Sequence, residues 1–186
     1  MKKNLLTAVT AALLVGVASP VHSEQITFSS SQYDNLNYAY HFGEQFQKNG
    51  KFKTESSIHK SGLGYIMAGM AWQESSGGAN TGHSPEHNAY GMFQNYLPSV
   101  KSWTHKINWN MSDAQIKKML KNRKYSATWA YIELSYWMNR YNGNIPKAIA
   151  SYNAGNDYKA GIKYSRQVMK KAEYLKEHQM FKETQE

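Results

Sequence analysis

The chain has 186 residues, no cysteine and a formal net charge of +9. That excludes a disulfide framework and a lipid-modified cysteine anchor, and it favours partners carrying negative charge. The lysines are dispersed and no nucleic-acid module signature is present, so no nucleic acid is expected as a partner.

Residues 1–23 read as a cleaved secretory signal: Lys2 and Lys3 form a basic start, Leu5 to Ala18 is a short apolar run, and Val21 and Ser23 are small residues at a signal peptidase's reading positions. A retained membrane anchor is the alternative, since the apolar run is marginal. Export to the periplasm or cell envelope is expected, with no stable membrane insertion after cleavage. Losing Lys2 and Lys3 takes the charge from +9 to +7. The roughly 160 residues that follow suffice for one domain with its own core.

Residues 24–57 are expected to hold an N-terminal helix, about Tyr33 to Gln47 with Leu36, Ala39, Tyr40, Gly43 and Phe46 inward, and then a polar connector. The main domain is placed at 58–178 and a polar tail at 179–186. A second helix runs from Ile58 to Ser75, and a loop from Ser76 to Tyr90. Pro98 sits where it can open a short helix, and Ser112-Asp113-Ala114-Gln115 reads as a capping box for a helix to about Asn122. Tyr125 to Tyr141 is strongly helical, with Tyr125, Trp129, Ile132 and Tyr136 on one side. Asn144 and Pro146 open a helix that Gly155 closes. The last helix begins within 158–162 and carries Tyr164, Val168, Ala172 and Leu175 in register, with Asp157 as its expected cap. No strand alternation persists, so the fold class is mostly α, with a long loop and room for a small β-turn element.

The chemistry centres on Glu74. Leu63, Ile66, Met67 and Met70 form an apolar stripe, and at about 100° per residue Glu74 falls in its middle, one turn on. Ser75-Ser76-Gly77-Gly78 follows, and paired glycines end a helix. An acid on a buried helix face has its pKa raised, as a general acid near neutral pH requires. The competing reading is a helix-end Glu that turns outward or pairs with a lysine.

Glu74-Ser75, then Gly91-Met92-Phe93-Gln94, then Tyr152-Asn153-Ala154-Gly155 stand in an order and spacing that resemble the lytic transglycosylases of the goose-lysozyme-like family, over about residues 60–175. Asn95-Tyr96-Leu97-Pro98 departs from the Met-Pro that often follows the Gln, and Gly161-Ile162-Lys163 replaces the Glu-Thr that often precedes the late Tyr. The resemblance implies a lysozyme-like domain with Glu74 catalytic and Ser75, Ser84, Gln94, Tyr152, Asn153 and Tyr164 around the substrate. It also implies that Glu74 protonates the bond between N-acetylmuramic acid and N-acetylglucosamine, the acetamido group stabilises the sugar cation, and Glu74 then deprotonates the C6 hydroxyl to close a 1,6-anhydro ring. The implied partners are peptidoglycan glycan strands, with a secretion, conjugation or phage machinery as recruiter, and no cofactor.

Two alternatives remain at the level of sequence. A hydrolytic muramidase would pair Glu74 with a second carboxylate, Glu133 or Glu86. Glu133 lies near Trp129 on a mostly apolar face and is expected to be a structural pair with Arg140 or a lysine. A non-catalytic wall-binding or scaffold protein of the same fold is the other. His83 and His87 flank Glu86, but Pro85 makes the segment a loop with no third ligand, so no metal site is expected.

Overall fold

The structure is a computed structural model that describes residues 26–49, 63–81 and 87–181. The signal segment, the start expected for the second helix, Ser84, Glu86, His83, most of the connector and the end of the tail lie outside the described residues. Among the described residues, the chain forms seven helices and one small antiparallel sheet. In order these are α1 (Ser30–Asn49), α2 (Gly64–Ser75), β1 (Ala89–Tyr90), β2 (Asn95–Tyr96), α3 (Leu97–Lys106), α4 (Asp113–Leu120), α5 (Arg123–Arg140), α6 (Ile145–Ala154) and α7 (Ile162–Glu177). β1 pairs with β2 in the register Ala89–Tyr96 and Tyr90–Asn95, so the two strands form a tight hairpin around the turn 91–94.

Local signals set most boundaries. The capping box at Ser112 is closed in both directions with Gln115. Pro98 occupies the first turn of α3, where its missing N–H costs nothing. α4 stops at Leu120 because Asn122 turns outward to cap α5, its carboxamide oxygen accepting from the Lys124 N–H at 2.9 Å. Asn144 caps α6 in the same manner. α7 starts at Ile162 with no side-chain cap. Asp157 therefore does not cap it: the segment enters the helix through Gly161, where a Cβ would sit 2.0 Å from the Ala150 carbonyl oxygen, and this close approach to α6 fixes where α7 can begin.

The core has two parts. The larger gathers Leu36 and Tyr40 of α1, Met67 and Met70 of α2, Phe93 of the hairpin turn, Tyr131, Leu134 and Met138 of α5, Ile149 of α6, and Val168 and Leu175 of α7. The smaller joins Tyr90, Leu97, Val100, Ile116, Leu120 and Trp129. α5 passes between them and buries side chains on both sides. The face expected from Tyr125, Trp129, Ile132 and Tyr136 therefore holds only in its middle: Tyr125 and Tyr136 are exposed, while Ala127, Ala130, Tyr131, Leu134 and Met138 carry the main contact. A helix buried on two sides, with Ser126 and Ser135 among its buried residues, gives periodicity no single phase to report.

The hairpin turn is the tightest junction. Gly91 has φ of 79°, and a Cβ there would lie 2.0 Å from the backbone carbonyl oxygen of Leu120. Both the left-handed backbone and the contact forbid a side chain. Gly91→Ala is expected to destabilise the protein by about 3 kcal/mol, read as a fall in the urea midpoint without a change in slope.

Candidate active site

Glu74 sits in the last turn of α2, on the stripe of Leu63, Ile66, Met67 and Met70, all of which are buried. The helix ends immediately after it. Ser76 adopts the left-handed conformation and its N–H returns to the Trp72 carbonyl, while the Gly77 N–H returns to Ala71. Gly77 and Gly78 continue at positive φ. α1 holds this exit from below: Gln32 donates to the Ser76 carbonyl at 2.9 Å and Asn35 to the Gly77 carbonyl at 3.1 Å. The carboxyl is thus half-buried at a fixed helix end.

Three aromatic or acidic side chains from other helices surround it. The Tyr164 hydroxyl of α7 donates to Glu74 Oε1. Tyr152 of α6 donates to the Phe93 carbonyl at 2.8 Å, tying α6 to the hairpin turn. Glu133 of α5 is close enough to both tyrosines and to Glu74 to act on them electrostatically. Burial pushes the Glu74 carboxyl up from 4.5 to about 7; the Tyr164 bond opposes this and Glu133 adds to it. Burial likewise raises Glu133 from 4.5 to about 7, against a lowering by the Trp137 indole N–H, which approaches without closing a hydrogen bond of good geometry. Burial also lifts the Tyr152 and Tyr164 hydroxyls well above their ordinary value, with the Glu74 charge adding to it, so both remain neutral donors.

Among the described residues Glu133 has no cationic partner. The ion pairs among the described residues are Lys101–Asp113 and Arg123–Asp34, and Arg140 lies over the Trp137 ring at 5.9 Å instead. The expected pair with Arg140 is therefore not formed, since Arg140 lies over an aromatic ring instead, and no described lysine takes its place.

The other anticipated residues are placed as follows. Ser75 is buried, and its hydroxyl donates to the Met92 carbonyl at 2.7 Å and accepts from the Gly78 N–H at 2.8 Å. It bolts the end of α2 to the hairpin turn and does not bond Glu74. Gln94 has φ of 45° and its side chain donates to the Gly91 carbonyl at 2.9 Å, inside its own turn. Asn153 is exposed, and no hydrogen bond joins it to Glu74. Tyr164 lies on the carboxyl although the Glu-Thr before it is missing. Gly155 ends α6 at φ of 62°. Sequence reasoning missed Gln32 and Asn35, which give no signal, being two ordinary amides on a helix distant in sequence. Among the described residues no group of three His, Asp or Glu side chains is gathered as metal ligands would be.

The helical fold and an acid held at a helix end by a tyrosine define a lysozyme-like domain. The chain matches the family model of the transglycosylase SLT domain over residues 55–175 and belongs to that family. It is 54% identical over 180 residues, 97% of each chain, to an uncharacterized 20.7 kDa protein in the vs-regB intergenic region of Enterobacteria phage T4. No solved structure matches.

Two substitutions should move the Glu74 titration in opposite directions. Tyr164→Phe removes a donor to the ionised form and is expected to raise the pKa above 7; Glu133→Gln removes a neighbouring negative charge and is expected to lower it. Carbon-13 NMR of the glutamate carboxyls reads both. Because the folded pKa is raised above the unfolded value, the folded state holds a proton that the unfolded chain releases between pH 4.5 and 7. Stability is thus lost as pH rises through that window. Glu74→Gln is expected to be more stable than wild type at pH 8, by about 2 kcal/mol, with the gain vanishing near pH 4.5 in denaturant melts.

Proposed function

We propose that the chain is a peptidoglycan lytic transglycosylase, cleaving the bond between N-acetylmuramic acid and N-acetylglucosamine without water. The observation that carries this is the half-buried carboxyl of Glu74, held at the end of α2, bonded by the Tyr164 hydroxyl and pushed up to about 7 by burial. Membership of the transglycosylase family supplies the substrate class.

Glu74 enters the reaction protonated and gives its proton to the glycosidic oxygen. The substrate's acetamido group stabilises the sugar cation as the bond breaks. The new Glu74 carboxylate accepts the C6 hydroxyl proton, and O6 attacks C1 to close the 1,6-anhydro ring. Glu74 ends protonated, so the cycle balances. The Tyr164 bond steadies the ionised form midway, and a pKa near 7 lets one group serve in both directions. Among the remaining expected residues, Tyr152 holds the hairpin turn beside the sugar, while Asn153 and Gln94 offer amides at its rim.

Glu133 keeps a second reading in play, hydrolysis by two carboxylates. That mechanism needs one acid protonated while the other is ionised, and therefore environments that separate their pKa values. Here burial raises both carboxyls to about 7. Two neighbouring carboxyls can share one proton and meet that need, so it is membership of the transglycosylase family that favours the single-acid route.

Action on the wall requires export, consistent with the leader reading of residues 1–23, and no helix among the described residues is long and apolar enough to cross a membrane. A relative from a phage supports a phage machinery among the candidate recruiters.

Mass spectrometry of the products from purified wall tests the proposal. Anhydro ends are expected; reducing ends would establish hydrolysis instead. Glu74→Gln should lower turnover at least about 10³-fold, and an undiminished rate would overturn the assignment. The rate should fall as pH rises through about 7, following loss of the Glu74 proton.

A further inference from the structure

A cavity of about 270 Å³ opens on the seam between α2 and α7, lined by Gln73, the residue before Glu74, and not by Glu74 itself. Trp72 and Gln73 form its α2 wall; Gln167, Lys171 and Tyr174 form its α7 wall. Trp72 is fixed edge-on between Phe28 at 5.0 Å and Tyr174 at 5.7 Å. The Ile26 N–H donates to the Tyr174 hydroxyl at 3.0 Å, which brings the segment before α1 over the rim.

Lys171 is the unusual member. Its side chain is half-buried, its ammonium donates to Gln73 Oε1 at 2.7 Å, and it stands 5.2 Å from the centre of the Trp72 ring. Neither ion pair among the described residues involves it. An ammonium has three donors, and an amide and a ring face neutralise none of its charge. A cation that has given up part of its water beside an open cavity is matched by an anion entering that cavity. Lys170 lines the same space and adds a second positive charge.

The walls narrow the kind of anion. The Trp72 and Tyr174 rings in its walls suit an apolar or amide-bearing body rather than a bare phosphate, and Gln167, whose Oε1 accepts from Gln73 Nε2 at 3.4 Å, still has its amide NH2 to give a peptide carbonyl. The location narrows it further. Gln73 adjoins Glu74 in sequence, and Gln167 lies three residues, about 4.5 Å of helix rise, beyond Tyr164. A substituent branching from a sugar held at Glu74 is within reach.

We propose that this cavity binds the free carboxylate of the peptide carried by the glycan strand, with Lys171 as its counter-ion, so that the protein distinguishes peptide-bearing from naked strands. The identity of the ligand rests on the function proposed above.

The test uses the full mature protein on two substrates, wall glycan with its peptides and the same glycan stripped by an amidase. Wild type is expected to show kcat/KM about tenfold higher on peptide-bearing strands, the factor that one ion pair of ~1.4 kcal/mol supplies. Lys171→Met should bring that ratio close to one through KM, while Lys176→Met, an exposed charge outside the cavity on the same helix, should leave it. Wild type cleaving neither substrate would overturn the proposed function. Wild type cleaving both, with a ratio that Lys171→Met does not move, would overturn the cavity assignment alone. Should Lys171→Met fail to fold, NMR titration of wild type with the free tetrapeptide and with its C-terminal amide decides: Lys171 side-chain shifts on the acid only support the assignment, and equal or absent shifts reject it.

Discussion

The structure depends on keeping a carboxyl out of water at the end of a helix. Glu74 loses hydration on α2 and recovers one strong bond, from Tyr164 on α7. The imbalance between the two is what raises its pKa to about 7. Everything around it fixes that compromise in place. The left-handed Ser76 stops the helix one residue after Ser75, Gln32 and Asn35 hold the exit, and the Ser75 hydroxyl bolts the helix end to the hairpin turn. Without these ties the last turn of α2 would fray and the acid would rehydrate, returning toward an ordinary carboxyl.

The second acid makes the compromise costlier. Among the described residues Glu133 has neither a cation nor a well-formed donor, and its charge acts on Glu74, Tyr152 and Tyr164. An uncompensated buried carboxyl is among the less favourable features a core can hold. It is tolerated because α5 is anchored in both parts of the core, by Trp129 on one side and Leu134 and Met138 on the other. That placement of α5 keeps Glu133 close enough to Glu74 to raise its pKa further.

What the sequence disclosed about this arrangement followed the reach of each signal. The stripe ending in Glu74, the capping box at Ser112, the Pro98 and Asn144 starts and the Gly155 stop depend on neighbours a few residues away, and all are found in place. The failures needed tertiary knowledge. α5 is buried on two sides, so no single stripe marks its core face and Tyr125 and Tyr136 looked equivalent to Trp129. Ser75 could bond several partners, and only the folded hairpin shows that Met92 takes it. Arg140 had an acid and an aromatic face within reach and lies on the aromatic. Asp157 resembled a cap until the approach of Gly161 to Ala150 moved the helix start four residues on.

In the proposed reaction Glu74 donates a proton and then takes one back, and a group with that task works best when neither form is strongly preferred at the ambient pH. Burial alone would hold Glu74 protonated too firmly to become a carboxylate midway; the Tyr164 bond alone would leave it ionised at the start. Their opposition sets a pKa near neutrality, and Glu133 adds a bias toward the proton that the tyrosine offsets. The same reasoning explains why a phenol serves here and a lysine would not. A cation at that place would pair with the carboxylate and pull the pKa well down, whereas Tyr164, held neutral by its own burial, supplies a bond without a charge.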